Sequence, residues 1–146
     1  MQALTRLRDT AIGPSRLVYD ILAAALAAVD PYAAVRRALA ESPLPSGMPE
    51  RVYVVGAGKA GVGMARAVHD VLGERIVAGC VAVPDSAPSA IGRIALAQAG
   101  HPVPDARGVA AAERVAELAP IVSGRPDDVV LCLFSGGGSA LLPLPV

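Results

Sequence analysis

The sequence predicts an α/β fold, a Rossmann-like three-layer sandwich preceded by a helical arm, and three observations predict it. Short β-branched runs alternate with stretches of helical periodicity, the order that builds a parallel sheet covered by helices. Two of those runs, Arg51 to Val55 and Asp128 to Phe134, end at glycine-rich loops, Gly56-Ala57-Gly58-Lys59-Ala60-Gly61 and Ser135-Gly136-Gly137-Gly138-Ser139. Hydrophobic residues make up 53% of the 146 residues but aromatics only 3%, so Ala, Val and Leu must fill the core, as a helix-covered parallel sheet allows.

Residues 1–14 have little periodicity and read as a loose leader. Residues 15–41 form the helical arm. In its first helix Leu17, Ile21, Leu22, Ala25 and Val29 recur as one apolar stripe, with Ser15 as the expected N-cap. Asp30-Pro31 then reads as an N-cap followed by proline at the first helical position, opening a second helix to about Ala40. Arg6, Arg8 and Arg16 ahead of Ile21 to Val29 have the outline of a signal peptide. Asp20 interrupts the apolar run, however, and Asp30-Pro31 stands where small neutral residues should mark a cleavage site, which argues against secretion. Residues 42–49 hold three prolines and a glycine and read as a linker.

Residues 50–146 carry the α/β pattern. Arg51 to Val55 is a buried strand that stops at Gly56. Val62, Ala65, Val68 and Leu72 follow at helical spacing until Gly73 ends the pattern, and Ile76 to Val83 is the second strand, completing a βαβ unit. Arg93 to Ala99 is a third strand, but Pro84 to Gly92 is short for a parallel crossover, so this strand is either antiparallel or weakly assigned. Asp105 caps a helix to about Val122 with Val109, Ala112, Val115, Ala116 and Ala119 inward. Asp128 to Phe134 is the last strand. Ser139-Ala140-Leu141-Leu142 reads as the start of a helix, cut short by Pro143-Leu144-Pro145, so the fold reads as incomplete.

Thirteen basic and thirteen acidic residues cancel, which excludes nucleic acid and anionic membrane as main partners, since both need a basic surface. A small anionic ligand needs only local positive potential. Cys80 and Cys132 each lie inside an apolar run and read as buried thiols of a cytoplasmic protein. The apolar helical arm is a candidate for homo-oligomer contacts.

Three glycines in a row between Ser135 and Ser139 exceed what a turn needs. After a strand they read as an anion cradle, in which backbone N–H groups face phosphate or carboxylate oxygens. The first loop satisfies GxGxxG in a strand–turn–helix context, the dinucleotide-binding pattern. Such a site also wants an acidic residue after the second strand; Asp85 is the candidate, and it lies a little late. Lys59 points elsewhere. A cation in the first turn of a helix opposes the macrodipole, and a bound anion would reverse that sign. Phosphoryl transfer has use for such a lysine, because charge builds on the transferring oxygens. A third element, Gly100-His101-Pro102-Val103-Pro104-Asp105, brings His101 as a candidate ligand contact. His69 reads as solvated, and Asp127 and Asp128 as ends of the preceding segment.

Three motifs taken in order, Val54-Val55-Gly56-Ala57-Gly58-Lys59-Ala60, Gly100-His101-Pro102-Val103-Pro104-Asp105 and Ser135-Gly136-Gly137-Gly138-Ser139-Ala140-Leu141-Leu142, resemble the N-terminal region of the type-2 glycerate kinases. Val29-Asp30-Pro31-Tyr32 and Val35-Arg36-Arg37 in the arm fit as well. The resemblance spans nearly the whole chain from about residue 15. It implies ATP-dependent phosphorylation of D-glycerate to 2-phosphoglycerate with Mg²⁺, Lys59 matching the family's active-site lysine. Gly56, Gly58, His101, Ser135, Gly136, Gly137, Gly138 and Ser139 are the implied nucleotide- or substrate-binding residues. That family also uses a later arginine and a second, C-terminal domain, both absent from this sequence, so the chain alone is expected to be inactive. Older labels in the family as hydroxypyruvate reductases keep an NAD(P)H-linked reductase open as an alternative. A non-catalytic anion-binding module is the other.

Overall fold

The computed structural model describes residues 14–41, 44, 49–85, 87–122, 125 and 127–145. The leader expected over 1–14 and the linker expected over 42–49 thus fall almost wholly outside the described residues. The helical arm consists of α1 (Pro14–Ala28) and α2 (Pro31–Glu41). Helix α1 starts at Pro14, so Ser15 lies inside the first turn instead of capping it. Asp30 does cap α2, accepting from the Ala33 amide at 2.8 Å. Helix α2 packs along the helix that follows the first strand, while the apolar stripe of α1 stays uncovered, Leu17 and Ile21 being 63% and 60% exposed. Among the described residues no single helix is long and apolar enough to cross a membrane.

The body is a five-stranded sheet. Its elements are β1 (Val52–Ala57), α3 (Gly61–Leu72), a 3₁₀ turn (Gly73–Arg75), β2 (Ile76–Val83), β3 (Ala90–Ile91), β4 (Ile94–Gln98), α4 (Ala106–Ala116), α5 (Ala119–Val122), β5 (Val129–Phe134) and α6 (Gly138–Leu141). The strand order is β3-β4-β2-β1-β5. Strands β1, β2, β4 and β5 are parallel, and β3 alone runs antiparallel, against β4. The strand expected over 93–99 is therefore parallel to β2 despite its short connection. No helix is needed for the return: residues 87–91 lie outside β4, fastened by the Leu96 amide on the Ser89 carbonyl and by Gln98 Nε2 on the Ala87 carbonyl.

Alternation along the strands sends Val52 and Val54 of β1, Val81 and Val83 of β2 and Leu133 of β5 to the α3 side. There they join Ala65, Val68 and Leu72 in the main core, where full burial of each large aliphatic side chain is worth about 1.5–3 kcal/mol. The opposite face holds a smaller cluster of Ala57, Ala82, Ala99, Ala111 and Leu141 beneath α4. Small side chains let α4 lie close to β2 and β4. Helix α4 stops at Ala116, and of the residues expected inward Ala116 and Ala119 are exposed, because the short α5 replaces its continuation.

Because α4 covers β2 and β4, the same face of β5 is left bare. Cys132 is thus exposed, not buried as expected, and Phe134 is 62% exposed beside it. Cys80, on β2, is buried. Two further expectations are corrected. His69 is half-buried, not freely solvated: its ring lies against Gly92 in the β3–β4 turn, with Nδ1 buried and without a hydrogen-bond partner among the described residues. Asp128 does more than end a segment, since its buried carboxylate takes Arg51 Nε at 3.0 Å and ties the starts of β1 and β5 together.

Candidate functional site

Strand β1 has β2 on one side and β5 on the other, so after β1 the chain builds outward through β2 and β4 and then returns to the far side of β1. That reversal is a topological switch point, and ligands of open α/β sheets bind in the crevice beyond the strand ends there. Both glycine loops lie at this point, one after β1 and one after β5.

The first loop differs from the sequence expectation. Strand β1 continues through Gly56 to Ala57, and helix α3 begins only at Gly61 with Ala60 as its N-cap. Lys59 therefore precedes the helix instead of standing in its first turn. Gly56 serves strand contact, since a Cβ there would come within 2.0 Å of the Leu133 carbonyl oxygen in β5. Gly58 has φ +142°, and a Cβ on it would meet Ser135 Oγ at 2.0 Å.

The amides of this loop are already engaged. Gly58 N–H donates to the Ala82 carbonyl at 3.0 Å, Lys59 N–H to the Gly136 carbonyl at 3.0 Å, and Gly61 N–H to the Gly58 carbonyl at 3.0 Å. Ala60 N–H donates to Ser135 Oγ at 3.0 Å. A dinucleotide fingerprint works by offering such amides to a pyrophosphate. Here they bind the neighbouring strand and the second loop. Asp85, the candidate ribose contact, is held by both terminal nitrogens of Arg107.

The second loop is arranged the other way. Ser135 N–H donates to the Ala57 carbonyl at 3.1 Å and Gly138 N–H to the Ser135 carbonyl at 3.3 Å, which fixes the loop to β1. Gly137 adopts φ +93°, ψ −2°, a left-handed conformation that costs a residue with a Cβ about 1–2 kcal/mol, and stands as N-cap of α6. The amides of Gly136, Gly137 and Ser139 have no acceptor among the described residues. Ser139 is exposed and Ser135 half-buried, its hydroxyl turned to α3.

Two side chains border these open amides. The Lys59 stem crosses the loop, with Cγ 3.4 Å from the position of a Cβ on Gly137 and Cε 3.8 Å from that on Gly136. His101 Nε2 lies 2.8 Å from the same Gly137 Cβ position. Lys59, His101 and the 135–139 loop thus meet although they come from three connections of the chain. Lys59 has no acidic partner among the described residues, so the rim carries an uncompensated positive charge. The sequence reading missed Arg107. Its signal was the Asp105-x-Arg107 spacing at a helix start, where the arginine reaches back over the capping carboxylate.

A family model described as a domain of unknown function, DUF4147, matches residues 17–146. The chain belongs to the DUF4147 family. This DUF4147 chain is 36% identical over 132 residues to the D-glycerate 2-kinase of Thermotoga maritima, covering 90% of the present chain and 30% of that protein. It is 41% identical over 130 residues to a putative hydroxypyruvate reductase of Agrobacterium vitis, covering 89% and 27%. The crystal structure of glycerate kinase from Thermotoga maritima superposes with a TM-score of 0.75 at 37% identity, over 87% of this chain and 29% of that one. The α/β sandwich is therefore that of the N-terminal part of the glycerate kinases, and the chain spans between 27% and 30% of the length of these two curated relatives.

Proposed function

We propose that this chain contributes the phosphate-binding wall of a glycerate 2-kinase, and that Lys59 is the residue on it that acts on the transferred phosphoryl group. The observation that carries the reading is the approach of the Lys59 stem to Gly136 and Gly137 in a loop where the Gly136, Gly137 and Ser139 amides have no acceptor among the described residues. Those amides suit phosphate oxygens, and the ammonium would neutralise charge that builds on them in the transition state, the main task of protein groups in phosphoryl transfer. Gly58, Gly138 and Ser135 hold the wall in shape, and His101 closes it beside Gly137. ATP, which the kinase reading requires, supplies the phosphoryl group, and D-glycerate receives it to give 2-phosphoglycerate. For Mg²⁺ the fit is different: among the described residues no three His, Cys, Asp or Glu side chains gather into a metal cluster. The two free thiols accord with a cytoplasmic setting.

Because the chain spans only 27% to 30% of the length of these two curated relatives, turnover is assigned to a protein that also carries their remaining length, and this chain alone is expected to bind anion without turnover. In a protein of that length, Lys59→Ala should lower ADP release with D-glycerate by at least 10²-fold, about 2.7 kcal/mol of lost transition-state stabilisation. Its melting temperature should stay near wild type. Wild-type turnover in the variant would remove Lys59 from the mechanism. Reduced-cofactor oxidation with hydroxypyruvate instead of ADP release would establish the reductase alternative, against which the engaged amides of 58–61 and the Arg107-bound Asp85 both stand.

A further inference from the structure

Arg107 sits at the start of α4, outside the wall, and joins three parts of the chain. Its Nε and one terminal nitrogen reach Asp105 Oδ2 at 2.9 and 2.7 Å, and its guanidinium also grips Asp85, which follows β2. Asp105 also caps α4, its Oδ1 accepting from the Arg107 amide at 3.0 Å. Gly100 and Asp105 are the two ends of the turn that carries His101. A Cβ on Gly100 would meet Asp105 Oδ2 at 2.7 Å and the Val103 carbonyl at 2.6 Å, so the turn is closed tightly on itself.

We propose that Arg107 is a positioning residue for the anion wall: by bridging Asp85 and Asp105 it fixes the 100–105 turn to the end of β2 and so holds His101 against Gly137. The geometry favours this over a purely local cap. Capping α4 needs only Asp105, whereas the fork of Arg107 engages a second carboxylate 22 residues away in sequence. A planar guanidinium satisfies both carboxylates at once, which a lysine's point charge does not. Both partners are half-exposed, Arg107 50% and Asp85 59%, and exposed ion pairs add little to global stability. What the clamp alters is the placement of one turn, and that placement sets one side of the opening above the Gly136 and Gly137 amides.

The consequence for anion affinity rests on the wall described above; the placement of His101 does not, and the test separates the two. Wild-type chain, Arg107→Ala and Asp85→Asn are labelled for NMR, with Asp105 left intact so that α4 keeps its cap. The wild type should give a nuclear Overhauser contact between His101 Hδ2 and the Gly137 α-protons. Both variants should lose it while the amide shifts of β1, β2 and β5 stay in place. Titration with inorganic phosphate should move the Gly136, Gly137 and Ser139 amides of the wild type, with at least fivefold weaker affinity in each variant. A His101–Gly137 contact of wild-type strength in both variants overturns the proposal. Loss of that contact without any phosphate response in the wild type supports the clamp and refutes the phosphate wall.

Discussion

Gly58→Ala tests the coupling of the two glycine loops most directly, because the new methyl has nowhere to go. Its Cβ would lie 2.0 Å from Ser135 Oγ, 2.8 Å from the Ser135 carbonyl oxygen and 2.9 Å from the carbonyl carbon. Two of the three are backbone atoms in a loop already tied to β1 through the Ser135 amide and to the first glycine loop through the Lys59 amide. The φ of +142° adds strain of about 1–3 kcal/mol for any residue with a Cβ, and forcing a methyl into filled space adds about 1–3 kcal/mol. Taking about 3 kcal/mol in total and a urea slope of about 2 kcal/mol per M, the unfolding midpoint should fall by about 1.5 M. Ser135→Ala alone removes the acceptor of the Ala60 amide and should cost about 1 kcal/mol. The double variant removes the closest of the three contacts and keeps the other two. It should therefore be more stable than the sum of the single changes by about 1 kcal/mol, a coupling of the size expected between touching residues. A Gly58→Ala midpoint within about 0.3 M of wild type, or strict additivity with Ser135→Ala, would refute the claim that loop 58–61 is locked onto loop 135–138.

Two other outcomes can be checked simply. Burial pushes the Cys80 thiol up against a smaller opposing effect of Arg114, while Cys132 lies exposed on β5. A thiol-reactive chromogen should therefore titrate Cys132 at once in the native protein and Cys80 only in denaturant, whereas equal rates would contradict the bare face of β5. The Arg107 guanidinium, with help from the Gly100 and Arg107 amides and against burial, holds the Asp105 carboxyl below the usual carboxylate range. Its folded-state value is thus lower than its unfolded one. The stability it contributes is complete above about pH 4, the unfolded value, and is lost as pH falls through the folded value. Urea midpoints of wild type and Asp105→Asn should accordingly differ at pH 6 and converge as the pH drops below 4; a gap that widens in acid would reverse the sign.

How far the sequence could be read depended on the distance over which each feature is decided. Strand β2 occupies Ile76–Val83 as its apolar run predicts, and the caps of Asp30 and Asp105 form as their local contexts predict. Each is settled within a few residues. The direction of β4 depends on how the chain between β2 and β4 returns, and a helix is only one way to return. The role of Gly58 depends on Ser135, and that of Asp128 on Arg51, at separations of 75 to 77 residues for the hydrogen bonds involved. GxGxxG reads identically whether its amides face a ligand or a neighbouring loop, so the pattern carried no information on the difference. Exposure of Cys132 follows from β5 standing at the sheet edge beyond the reach of α4, which an apolar run cannot reveal.

The position of β1 between an early and a late strand has a kinetic consequence. Its bonds to β2 close a short βαβ segment, but its bonds to β5, together with the Arg51–Asp128 and Ala60–Ser135 links, wait for a loop of more than seventy residues to close. Non-local pairings of this kind form slowly, because the entropy of closure is lost before the contacts reward it. The sheet therefore gains its β4-β2-β1 side from contacts near in sequence and its β1-β5 seam from contacts far apart. Lys59 meets Gly136 and Gly137 on that seam, so the proposed anion site takes shape only once this long-range pairing has closed.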